Sequence, residues 1–124
     1  MKIHHVAIIA SDYERSKDFY TRILGFEIIR ETHRQERQSY KLDLRVGDAQ
    51  IEMFSFPNPP QRPTNPEACG LRHLCFAVSN LEQTRVGLLA HGLSLEEIRT
   101  DETTGKRFFF FRDPDNLPLE IYEQ

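Results

Sequence analysis

The chain is short of several things, and each shortage closes off a class of protein. Only two of its 124 residues are cysteine, Cys69 and Cys75, six positions apart. That is too few for a disulfide framework and the wrong spacing for a Cys-x-x-Cys site, so reduced thiols in a cytoplasmic protein are expected. No apolar run approaches membrane-spanning length, and Met1-Lys2-Ile3 leads straight into a strand-like segment without the cationic and apolar regions of a leader. A soluble protein with no membrane partner is expected. A basic block is missing too. The 16 basic and 19 acidic residues leave a net charge of −3, which argues against nucleic acid as a partner.

What is present is ordinary globular material. Apolar residues make up 39% of the chain and charged residues 28%, interleaved, so neither a disordered chain nor a coiled coil fits. A chain of this length buries about two-thirds of its surface on folding, enough for a core without staples.

The chain also repeats itself. A shift of 68 positions carries His5-Val6-Ala7-Ile8-Ile9-Ala10-Ser11-Asp12 onto His73-Leu74-Cys75-Phe76-Ala77-Val78-Ser79-Asn80, and Ile51-Glu52-Met53-Phe54 onto Leu119-Glu120-Ile121-Tyr122. Between these blocks the offset slips, because Gly25 and Gly92 are 67 apart, so an insertion or deletion is required. Each copy opens with an apolar run (3–10 or 71–78), then Ser-x-x-Glu spacing (Ser11/Glu14, Ser79/Glu82) that predicts a capped helix. Tyr13, Phe19, Tyr20, Ile23 and Leu24 form one helical stripe, and Leu81, Leu88 and Leu89 the other, with Gly25 and Gly92 as C-caps. Strands are predicted at 26–31, 40–46 and 49–55, and again at 94–99, 106–112 and 117–122. The expectation is a single α+β domain, 1–124, of two tandem βαβββ modules, 1–56 and 70–124, joined by the proline-rich linker 57–69. The run Phe108-Phe109-Phe110-Phe111 reads as a strand buried on both faces, or failing that as an aromatic pocket wall.

Four residues do not belong on apolar strands: His5, Glu52, His73 and Glu120. A buried carboxylate needs a partner, a shifted pKa or a metal, and no Lys or Arg neighbours either glutamate in sequence. Strand alternation sets Glu52 with Gln50 and Phe54, and Glu120 with Pro118 and Tyr122, opposite the apolar Ile51/Met53 and Leu119/Ile121. Taken singly, each is better explained as a satisfied core histidine or an edge-strand carboxylate. The shared 68-residue offset changes that, since two copies related by approximate two-fold symmetry would oppose one His/Glu pair to the other. Two nitrogens and two carboxylates suit one divalent ion, Ni²⁺, Co²⁺, Zn²⁺, Fe²⁺ or Mn²⁺, and the absence of thiolates in the set speaks for an open, catalytic centre. Arg34, Arg37, Lys41, Lys106 and Arg107, in or beside the third-strand loops, are candidates to clasp an anionic substrate. His4, predicted to face away from His5, and His33 and His91 are weaker ligand candidates.

At these residues the chain resembles the vicinal oxygen chelate superfamily, and within it the small glyoxalase I-like bacterial proteins. The resemblance covers the whole chain. It rests on His5-Val6-Ala7-Ile8 with Ser11-Asp12, Phe19-Tyr20 and Leu24-Gly25-Phe26, on Ile51-Glu52-Met53-Phe54, on Gly70-Leu71-Arg72-His73-Leu74, and on the ending Asp113-Pro114-Asp115-Asn116-Leu117-Pro118-Leu119-Glu120. It implies paired βαβββ modules as a U-shaped, half-open mixed sheet around a metal held by His5, Glu52, His73 and Glu120. It further implies a homodimer acting on a small molecule, with Glu120 or Glu52 moving a proton between adjacent carbons. Glutathione-using members carry an arginine four residues after the first histidine and an asparagine four after the second ligand. Here those positions are Ile9 and Phe56, so a smaller or more apolar α-oxo compound is expected in place of a glutathione adduct. The alternatives implied by the same family are a small-molecule binding or resistance module and another four-ligand chemistry such as epimerisation.

Overall fold

The repeat folds as two units, Met1–Gln61 and Arg62–Gln124, in a computed structural model that describes all 124 residues. The first unit runs β1 (His5–Ala10), α1 (Tyr13–Asp18), β2 (Glu27–Arg34), β3 (Ser39–Val46) and β4 (Ala49–Ser55). The second runs β5 (Leu74–Val78), α2 (Leu81–Ala90), β6 (Arg99–Thr100), β7 (Arg107–Arg112) and β8 (Pro118–Glu123). Each is therefore βαβββ, as the repeat predicts. The sheets are mixed and equivalent, ordered β1-β4-β3-β2 and β5-β8-β7-β6. The first strand of each unit pairs in parallel with the last, and the remaining pairs are antiparallel.

Alternation along the strands decides what is buried. Ile51 and Met53 of β4, Leu42 and Leu44 of β3, and Leu119 and Ile121 of β8 are buried, as are Phe109 and Phe111 of β7. The aromatic run is thus not buried on both faces. Phe108 and Phe110 point the other way, are only half-buried, and carry the Arg99 guanidinium on their rings at 5.1 and 5.5 Å. Tyr20 and Leu81, both fully buried, bring the helical stripes into the cores, whereas Leu89 stays 49% exposed at the edge of its stripe. β6 is shorter than expected: the preceding segment touches β7 by a single backbone bond, Glu96 N–H to the Phe110 carbonyl at 2.9 Å.

The slip in the repeat has a structural explanation. After α1 the chain makes a π-helical turn, Phe19–Ile23, closed by Leu24 N–H on the Phe19 carbonyl at 3.0 Å, and only then reaches the left-handed Gly25. The second unit goes from α2 to its left-handed Gly92 without one. A π turn accommodates one extra residue in a helix, which is the residue by which the offset falls from 68 to 67. The offset is restored at the last hairpin. The first unit turns on Gly47-Asp48, while the second needs Pro114-Asp115-Asn116 between Asp113 and Leu117, whose backbones bond at 3.0 Å.

The caps sit one residue later than Ser-x-x-Glu spacing predicts. Asp12 accepts from Arg15 N–H at 3.1 Å and Asn80 from Gln83 N–H at 2.9 Å, so the short carboxylate and amide outcompete the neighbouring serines for the orphan donors. The proline-rich stretch does not stay a free linker throughout. Its second half belongs to the second unit, where Arg62 donates to the carbonyls of Leu71 and Arg72, and Glu67 pairs with Arg72 at 2.7 Å. No helix is long and apolar enough to cross a membrane. Replacing the cap, Asn80→Ala, should lower stability by about 1 kcal/mol. Ser79→Ala should change it by less than about 0.5 kcal/mol. The denaturant midpoints of the two variants check this.

Candidate functional site

In the first unit the site grows from the β1/β4 register. His5 lies opposite Gln50, and Glu52, one pleat further on, shares that face, so His5 Nε2 comes 3.6 Å from Glu52 Oε2. The His5 ring also meets its neighbour. Nδ1 of His4 and Nδ1 of His5 are 2.9 Å apart in an edge-on contact, because His4 precedes the strand and escapes its alternation. Across the sheet, Asp43 of β3 stands opposite Glu52 and is buried. Lys41 joins the two carboxylates, its Nζ 3.1 Å from Asp43 and 3.2 Å from Glu52, with Phe54 beneath it at 5.8 Å. Hydrogen bonds to Asp43 above all, and to Glu52, hold the Lys41 ammonium above its ordinary range against the smaller pull of burial. Asp43 was not singled out by sequence. Its place in an alternating strand beside leucines is the signal that could have found it.

The second unit repeats the geometry with different company. His73 Nε2 is 3.1 Å from Glu120 Oε2, and Glu120 is itself buried. Cys75 pairs with Glu120 across the parallel ladder and Phe110 across the antiparallel one. Desolvation, then the Glu120 charge and a hydrogen bond to it, push the Cys75 thiol up to about 12, so it stays protonated at neutral pH. The edge of the Phe110 ring packs on His73 with centroids 5.2 Å apart. The chain thus brings His5 to Glu52 in the first unit and His73 to Glu120 in the second, and neither unit by itself gathers three or more His, Cys, Asp or Glu side chains fit to hold a cation.

The cationic candidates are placed quite differently from one another. Lys41 is bound between carboxylates as described. Arg34 lies over the Phe54 ring at 5.6 Å, and Arg37 ends an exposed turn, Gln35–Arg37. Lys106 donates to the Gln124 carbonyl at 2.9 Å. Arg107 is consumed by two glutamates, with Nη2 2.6 Å from Glu123 and Nη1 on Glu82 of α2. His33 belongs to β2, not to a loop, and stacks on Tyr40 at 4.4 Å, while His91 caps the C-terminus of α2. On the first unit Tyr13, stacked on Tyr40 at 4.3 Å, donates to Glu31, and burial and that carboxylate push the phenol up, while Lys17 holds Glu31 below the usual carboxylate range.

Two tandem βαβββ units, each aligning a histidine at the head of its first strand with a glutamate on its last, define the architecture of the glyoxalase fold. The family model of the Glyoxalase/Bleomycin resistance protein/Dioxygenase superfamily matches residues 2–121, and the chain belongs to that superfamily. The Bacillus subtilis protein YwkD is 61% identical over 123 residues, which are 98% of this chain and 96% of that protein. The crystal structure of SMU.1112c superposes with a TM-score of 0.96 at 50% identity, over 99% of this chain and 98% of that one. Lactoylglutathione lyase of Schizosaccharomyces pombe is 25% identical, over 99% of this chain and 47% of that enzyme.

The Arg107 cluster yields a test. Hydrogen bonds from Arg107 draw Glu123 down to about 2 from its ordinary 4.5. A depressed carboxylate stabilises the fold fully above its ordinary value, and the contribution is lost as pH falls from there through the folded one. In Arg107→Ala, Glu123 should titrate near 4.5 again, and acid unfolding should begin at higher pH. Carbon-13 NMR of the glutamate carboxyls checks the first and circular dichroism the second.

Proposed function

We propose that the chain is a metal-dependent lyase or isomerase of glyoxalase I type, acting on the vicinal oxygens of a small α-oxo compound or its thiol adduct. The observation that carries this reading is the pairing of His5 with Glu52 and of His73 with Glu120 at equivalent register positions of the two units. The donor chemistry fits the group. Two imidazole nitrogens and two carboxylates suit a divalent ion of the Ni²⁺, Co²⁺, Zn²⁺, Fe²⁺ or Mn²⁺ kind. When bound, the metal supplies Lewis-acid polarisation of two neighbouring oxygens.

The remaining work falls to the chain's own side chains. Glu120 has His73 and the neutral Cys75 thiol beside it, and we assign it the transfer of a proton between adjacent carbons. Glu52 is ion-paired to Lys41, which makes it the anchored carboxylate of the set. Asp43 keeps Lys41 in place whether or not Glu52 is engaged elsewhere. Ile9, 57% exposed, offers an apolar surface where glutathione-using relatives place an arginine, which supports a substrate other than a glutathione adduct. The open sheet edges formed by β1 and β5 support a homodimer as the working form.

Metal analysis of protein purified without an affinity tag should give about one divalent ion per chain, and His73→Ala should lose it. Unchanged metal content in that variant would sink the ligand assignment. Chelation should lower the melting temperature by on the order of 10 °C for a metal present at about 100 times its dissociation constant. Sedimentation at micromolar concentration should give the mass of two chains; a monomer refutes the dimer.

A further inference from the structure

A cavity of about 210 Å³ opens within the second unit, lined by Arg62, Arg72, Arg99 and Arg112 together with His73 and Phe110. Four guanidiniums against two carboxylates, Glu67 and Glu96, make it cationic in a chain whose net charge is −3. Their partners leave most of that charge unanswered. Arg72 pairs with Glu67 at 2.7 Å. Arg62 donates only to the carbonyls of Leu71 and Arg72, Arg112 only to that of Asn116 at 3.3 Å, and Arg99 lies on the faces of Phe108 and Phe110. Stacking occupies the face of a guanidinium and leaves its rim of N–H donors free, so Arg99 is held in place with its hydrogen-bonding edge unused. Two more donors in the lining, Arg62 Nε and the Thr64 hydroxyl, are buried without any partner. Buried donors are nearly always satisfied, and a cluster of orphans around a cationic cavity calls for an acceptor-rich occupant.

We propose that this cavity is a binding site for the oxyanion head, carboxylate or phosphate, of a small organic acid, with Arg99 and Arg112 as its specificity-determining residues. The space has room for a short oxo or hydroxy acid. Because His73 lines the same cavity, an acid bound there presents its remaining oxygens to the His73/Glu120 pair. That last step rests on the function proposed above; the anion site itself does not. None of Arg34, Arg37, Lys41, Lys106 and Arg107, the cations a sequence reading favours, lines it.

The test uses full-length, chelator-treated protein, so that metal plays no part. Calorimetric titration with pyruvate and, separately, with inorganic phosphate should show saturable binding of at least one, and the tighter of the two identifies the head group. Ethyl pyruvate, which lacks the charge, should not bind. Arg99→Gln and Arg112→Gln should each weaken binding roughly ten- to a hundred-fold, the effect of losing one charge-assisted bond. Arg22→Gln, whose partner is Asp18 on α1, should leave it unchanged. Arg99→Lys, which keeps the charge and loses the fork, should fall between, and guards against a misfolded glutamine variant. If neither anion binds at millimolar concentration, or if both glutamine variants bind as the parent does, the proposal is overturned. Arginine-dependent binding in a protein that takes up no metal would leave this site standing and remove the metal reading alone.

Discussion

Everything at the site depends on one parallel strand pair in each unit. The register of β1 against β4 seats His5 opposite Gln50, and that of β5 against β8 seats Cys75 opposite Glu120. Side chains alternate with a period of two, so a slip of one residue would turn Glu52 or Glu120 onto the helix side and Ile51 or Leu119 onto the site. The apolar residues flanking each glutamate forbid that slip, because Ile51, Met53, Leu119 and Ile121 are all buried. The same hydrophobic burial that holds each sheet together is therefore what aims the carboxylate.

From this shared frame the two units diverge in electrostatics. In the first, the residue across from the glutamate is Asp43, and two adjacent acids are tolerated because Lys41 bridges them and Arg30 lies 3.5 Å from Asp43. In the second, the equivalent position is Phe110, and the glutamate is surrounded by an aromatic ring, a protonated thiol and an imidazole. Burial of a carboxylate without a strong cation is costly, so the second glutamate is the one that gains most from an added positive partner. The asymmetry gives two like-placed carboxylates different work, one anchored and one available.

Charge is also sorted along the second unit. Arg107 at one end of β7 is tied to Glu82 and Glu123 and braces α2 against the sheet. Arg112 at the other end, with Arg99 and Arg62, faces open space instead. Phe108 and Phe110, whose alternate neighbours Phe109 and Phe111 fill the core, form the floor on which Arg99 rests. One strand thus supplies core, brace and cavity wall through nothing more than alternation and length.

The sequence by itself determined the tandem βαβββ order and the two His/Glu pairs. Both are written in local periodicity and in an offset that survives as long as the strands keep register. It also showed that a residue was gained or lost between Gly25 and Gly92, without saying where. Only the folded chain assigned that residue to the π turn at Phe19–Ile23, since helical periodicity hardly distinguishes one wide turn from a regular one. It likewise decided between Asp12 and Ser11, or Asn80 and Ser79, as caps, a choice made by backbone geometry one residue wide. The partners of long side chains were the least legible. Lys41 reaches Glu52 across a hairpin, Arg107 reaches Glu82 from a different element, and Arg99 finds its aromatic floor on the neighbouring strand. A flexible side chain of several bonds can meet many residues, and which one it meets is fixed by strand pairing that composition and spacing do not encode.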